Sequence, residues 1–143
     1  MFISVLTKNQ DTNFYESILC IKGLRMPDFI YDGKVYYNPV EFAMDRLGGA
    51  WKMPILWRLK GNILRYGELK KSIVHVSDKM LTSQLRQLER DGFIRREVYP
   101  VVPPKVEYSI TDKGRTAIPI VSAIREYGIE LMEGAGVDVT YYR

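Results

Sequence analysis

The chain has 143 residues, 46% hydrophobic and 27% charged, a balance that suits one globular domain with one core. No apolar run approaches the roughly 20 residues that a membrane-spanning helix requires, and the apolar Met1–Leu6 segment lacks the basic flank and small-residue cleavage site of a secretory signal. With one cysteine, Cys20, and one histidine, His75, neither an internal disulfide nor a closed zinc site is expected, so the chain is read as cytoplasmic, without cofactor or membrane partner.

The net charge of +4 is unevenly placed. From Lys60 to Arg115 there are twelve Lys and Arg against seven Asp and Glu, whereas the rest of the chain holds nine against ten. A positive middle on a nearly neutral scaffold fits a polyanion-binding face; the plainer reading is a solvated surface that happens to be basic.

Residues 1–37 are read as an N-terminal extension of uncertain structure, broken by Lys8-Asn9-Gln10-Asp11, Gly23, Pro27 and Asp32-Gly33, with Met26 an alternative start. Asn38-Pro39 then reads as an N-cap followed by proline at the first helical position, and Phe42, Ala43 and Leu47 give that helix an apolar face. A second helix is expected from Trp51 to Leu59, and a third from Tyr66 to Ile73. After three residues, a fourth runs from Ser77 to Asp91-Gly92. Its Leu81, Leu85 and Leu88 form a buried stripe at i, i+4 and i+7. Lys79, Ser83, Arg86 and Arg90 share the opposite side, with Thr82 at its border.

Two β-rich segments follow, Phe93–Tyr99 and Val106–Thr111, around Pro100-Val101-Val102-Pro103-Pro104-Lys105. They predict a hairpin too rich in proline to be extended into a wider sheet. Thr111-Asp112 offers the N-cap of a last helix, whose Ile120, Ile124, Tyr127 and Leu131 are expected at a dimer interface. The tail 134–143 is expected to fray.

The order is three helices, a turn, a helix, a hairpin and a helix. Two helices separated by a three-residue turn have helix-turn-helix spacing, in which the second enters the major groove. Arginine can donate to guanine, hydroxyls can read a base edge, and lysine can neutralise phosphate. The hairpin behind it reads as a wing, with Arg95, Arg96 and Lys105 as candidate DNA contacts. The predicted fold is mostly α with a small β-hairpin (α+β): a winged helix-turn-helix over residues 38–133 with a C-terminal dimerisation helix.

The string from Asn38 to Gly128 resembles the HxlR-type transcription regulators, near the MarR group. Asn38-Pro39-Val40-Glu41, Gly48-Gly49-Ala50-Trp51-Lys52, Leu64-Arg65-Tyr66-Gly67-Glu68-Leu69 and Ser77-Asp78-Lys79-Met80-Leu81-Thr82 are similar to its successive blocks. So are Leu85-Arg86-Gln87-Leu88-Glu89-Arg90-Asp91-Gly92, Val102-Pro103-Pro104-Lys105-Val106-Glu107-Tyr108 and Ile110-Thr111-Asp112-Lys113-Gly114. The resemblance covers about two thirds of the chain. It implies a homodimeric winged-helix repressor or activator of bacterial type on double-stranded DNA, with Arg65, Ser77, Lys79, Thr82 and Arg86 on the DNA face. Many members carry a sensing cysteine just before Pro-Val-Glu; this chain has Asn38 there, so thiol sensing at that position does not carry over.

Other chemistry is thinly represented. Gly48-Gly49 lacks the phosphate-loop spacing, and nothing in the sequence orients Cys20 and His75 as a nucleophilic pair, so no enzyme is expected. His75 falls in the helix-turn-helix turn. Trp51, Trp57, Tyr66 and Tyr127 are expected in the core or a dimer interface; the sharper reading is a small aromatic-lined effector pocket between helices. The runner-up function is a winged-helix module that binds protein, its basic stripe merely solvated.

Overall fold

The computed structural model describes residues 28–143. The chain divides into two compact units between Leu47 and Gly48.

In the first unit, strands β1 (Phe29–Tyr31) and β2 (Lys34–Tyr36) form an antiparallel hairpin where no element was expected. Asp32 and Gly33 both adopt positive φ, the geometry of a tight two-residue hairpin turn whose twist matches that of the strands. Helix α1 (Pro39–Leu47) follows. Asn38 caps it as expected, its Oδ1 accepting from the Glu41 amide at 2.8 Å, while Glu41 accepts from the Tyr37 amide at 2.8 Å. Phe42 meets the rings of Phe29, Tyr31 and Tyr36, and the Arg46 guanidinium lies 3.5 Å from the Phe42 ring centre. Asp45 accepts from Lys34 at 2.7 Å and from the Tyr36 hydroxyl at 2.6 Å. These bonds, that of Lys34 foremost, hold the Asp45 carboxyl down at about 2.

The second unit contains α2 (Lys52–Leu59), β3 (Leu64–Arg65), α3 (Tyr66–Ser72), α4 (Asp78–Arg90), β4 (Ile94–Tyr99), β5 (Lys105–Ile110) and α5 (Asp112–Gly134). Its core is mainly aliphatic, with Phe93 and Tyr108 buried beside the aliphatic side chains. Ile55, Leu56 and Leu59 of α2, Leu69 of α3, and Leu81, Leu85 and Leu88 of α4 are buried. Ile94, Tyr108 and Ile110 of the sheet and Ala117, Val121 and Ile129 of α5 complete it. Of the aromatics expected in the core or a dimer interface, Trp51, Trp57 and Tyr66 are half-buried and Tyr127 is exposed in the single chain. Trp57 carries the Lys60 ammonium 3.7 Å from its ring centre.

The sheet order is β3-β5-β4, all antiparallel, so the wing hairpin is extended by a third strand, contrary to expectation. The prolines stand at positions 100, 103 and 104, in the connecting loop. The body of β5 keeps its backbone groups free to pair Glu107 and Tyr108 with Arg65 and Leu64. The tail also departs from expectation. Val139 is buried, residues 140–142 form a 3-10 turn, and Arg125 and Glu133 of α5 bond to Tyr142 and Arg143.

Candidate nucleic-acid interface

Helices α3 and α4 are fastened through the turn between them. The Lys70 ammonium donates to the Val76 carbonyl, and the Tyr66 hydroxyl donates to the Asp78 carboxylate at 2.8 Å. Burial raises the pKa of Tyr66. Ser77 caps α4, its Oγ accepting from the Met80 amide at 3.1 Å, so its hydroxyl has a structural role before any contact with DNA. Thr82 is half-buried at the border of the polar side.

The polar side of α4 is an open concave strip of about 600 Å³ lined by Asp78, Lys79, Thr82, Ser83, Arg86, Gln87 and Arg90. It brings together Lys79, Thr82, Ser83, Arg86 and Arg90 as the helical period requires, opposite the three buried leucines. Among the described residues Lys79 and Arg86 form no ion pair, whereas Arg90 lies 3.6 Å from Asp91. Gln87 is absent from the site expected on sequence. It is one turn beyond Ser83 and donates to its hydroxyl at 3.3 Å, so the same i, i+4 arithmetic would have found it.

The wing residues separate. Strand periodicity puts Arg95 and Arg96 on opposite faces, both exposed. Arg65, Glu107 and Glu97 form one row across the three strands. Two carboxylates facing each other are unfavourable; here Lys105 pairs with Glu107 at 2.7 Å. Its hydrogen bond is the main reason the Glu107 pKa is lowered, with Arg65 adding a smaller pull. Lys105 also sits 4.8 Å from the Tyr99 ring centre, so its charge is engaged within the wing. Exposed Val101 and Val102 occupy the wing tip.

On α5, Ile120, Ile124, Tyr127 and Leu131 are 50%, 47%, 61% and 57% exposed. They recur at i, i+4, i+7 and i+11, one uncovered apolar stripe on the longest helix described. Pro119 interrupts the hydrogen-bond ladder one residue before the stripe begins. His75 is exposed in the turn before α4.

A model of the HxlR-like helix-turn-helix family matches residues 46–135. An HTH-type transcriptional regulator of Methanothermobacter thermautotrophicus is 47% identical over 93 residues, spanning 65% of this chain and 71% of that protein. Another, of Halalkalibacterium halodurans, is 43% identical over 104 residues, spanning 70% of this chain and 92% of that protein. Among solved structures, the redox regulator HypR in its oxidized form superposes with a TM-score of 0.62 and 46% identity, covering 64% of this chain and 94% of that one. The relatives are transcription regulators, not enzymes.

Proposed function

Because this chain belongs to the HxlR-like helix-turn-helix family of transcription regulators, we propose that it acts in the cytoplasm as a homodimer on an inverted-repeat operator, with α4 in the major groove and the wing against flanking DNA. The observation that carries this reading is the polar side of α4. Lys79 and Arg86 are exposed cations without ion pairs among the described residues, beside the hydroxyls of Thr82 and Ser83, on a helix whose other side is locked into the core. Such a surface can bond bases and neutralise phosphates without rearranging the fold. On the wing, Arg95 and Arg96 are the freer cations, and Lys105 has a mainly internal role.

The apolar stripe on α5 supports the dimer. Gly128 lies beside it, and among the described residues nothing within 4 Å would obstruct a Cβ there, so packing against them does not explain the glycine. A symmetric partner would cover the stripe and set two recognition helices about 34 Å apart, one turn of duplex.

Fluorescence anisotropy across a salt series tests the proposal. If a dimer neutralises about six phosphates, log K falls against log salt with a slope of about −5. A protein-binding winged helix with a solvated basic side would show no binding to genomic fragments, or a response independent of salt.

A further inference from the structure

The C-terminus of α4 and the N-terminus of α5 are tied into one joint. Helix α4 ends in a left-handed turn at Gly92, φ 81°, with the Gly92 amide bonded to the Glu89 carbonyl and the Phe93 amide to the Leu88 carbonyl. The next carbonyls are taken by α5. The Thr111 hydroxyl donates to the Gly92 carbonyl at 2.6 Å and accepts from the Gly114 amide at 3.0 Å. The Thr111 amide donates to the Phe93 carbonyl at 3.1 Å. The Lys113 ammonium donates to the Asp91 carbonyl at 2.6 Å and sits 4.9 Å from the Phe93 ring centre.

Lys113 belongs to the basic middle of the chain and by charge alone counts as a phosphate ligand. Its ammonium instead lies along the surface of the fold, donating to a carbonyl at the negative end of the α4 dipole while remaining exposed to solvent. Its side chain reaches back over the end of α4, across 22 residues of sequence, and its Cδ would lie 3.6 Å from a Cβ at Gly92. The helix proposed to read bases is thereby braced against the helix proposed to join subunits.

We propose that Lys113 is a positioning residue for DNA recognition, fixing the angle between α4 and α5 and with it the separation of the two recognition helices across the dimer. The inference rests on the dimeric DNA-binding reading above. Without the brace, α4 pivots on the Gly92 turn, and each half of the dimer accommodates a displaced half-site. Affinity for the correctly spaced operator falls and tolerance of altered spacing rises, while the number of phosphates neutralised stays the same.

The test uses the full chain and a duplex selected from a random-sequence pool on the wild-type protein, with and without one base pair inserted at its centre. Wild type is expected to prefer the original spacing by about tenfold or more. Lys113→Met reduces that preference to within about twofold, with the salt slope unchanged, and Lys113→Arg restores it because it keeps a cationic donor. Should Lys113→Met lose its helical circular dichroism, the comparison is read on Lys113→Gln, whose side chain is shorter. A salt slope that drops by about one unit would make Lys113 a phosphate contact and overturn the proposal. So would an undiminished spacing preference in the variant, or none in wild type. Failure of the wild type to select any duplex would overturn the DNA-binding reading itself.

Discussion

In the proposed complex the individual side chains of α4 have different roles. Arg86 stands mid-helix on the exposed side, where a guanidinium can donate twice to one guanine. Arg86→Ala is expected to cost about 1–3 kcal/mol on the selected site and to relax preference at one base position. Lys79 lies in the first turn, and its compact ammonium suits phosphate. Lys79→Ala should weaken all sequences alike and lower the salt slope by about one unit. Binding titrations on single-base variants of the site separate the two; equal losses on every variant for Arg86→Ala would remove its base-reading role. A second residue-scale prediction concerns Asp45. Its carboxyl, held at about 2 mainly by the Lys34 hydrogen bond and then by Tyr36, lies below the usual 3.8. A depressed carboxylate contributes stability that is fully present above the unfolded value and fades as pH falls through the folded one. The hairpin–helix unit should therefore loosen between about pH 4 and pH 2. A carbon-13 NMR titration of the Asp45 carboxyl should give a midpoint near 2, rising in Tyr36→Phe; a midpoint of about 4, the ordinary aspartate value, in the wild type would contradict the geometry. Asp45 is 39% exposed, so solvent screens the pair and the gain is small.

Between elements, the tightest approach is where α5 begins. A Cβ at Gly114 would meet the Phe93 carbonyl oxygen at 2.1 Å and the Ile110 side chain at 2.6 Å. Backbone cannot yield cheaply there, so Gly114→Ala should destabilise the second unit by roughly 1–3 kcal/mol, read as a lower midpoint in urea. An unchanged midpoint would mean that the joint is slack. The elements of this unit are legible because each carries its own local signal: the Ser77 cap, the three leucines of α4, the Asp91-Gly92 stop and the Thr111 cap. What is illegible depends on distant partners. Strand β3 is two residues long and exists only because β5 offers it an edge. The engagement of Lys105 by Glu107 and the bond of Lys113 to the Asp91 carbonyl likewise follow from tertiary placement. The β1–β2 hairpin is a different case. Phe29-Ile30-Tyr31 and Lys34-Val35-Tyr36 around Asp32-Gly33 form a strong short-range hairpin signal, although Asp32-Gly33 taken alone reads as a mere break.

At the scale of the whole molecule, the proposed recognition helix and the α5 stripe are joined in one reading by the proposed dimer. In the proposed complex one copy of α4 would offer a few base contacts, whereas two copies held by symmetry would read an inverted repeat and add their contacts on one duplex. The composition of the stripe suits a subunit contact. Ile120, Ile124 and Leu131 supply aliphatic area, and Tyr127 supplies a ring whose hydroxyl can remain at a wet rim. A charge at its centre tests the arrangement directly. Ile124 is 47% exposed in the single chain, so Ile124→Asp leaves the aliphatic core around Leu56, Leu85 and Leu88 untouched. An unpaired carboxylate buried between two helices is, by contrast, strongly unfavourable. The variant should therefore keep the far-ultraviolet spectrum of the wild type, sediment as a monomer, and lose much of its affinity for the full operator. It should bind an isolated half-site about as well as a wild-type monomer does. Sedimentation of the wild type as a monomer at micromolar concentration, or a dimer unaffected by Ile124→Asp, would place the subunit contact elsewhere on the chain.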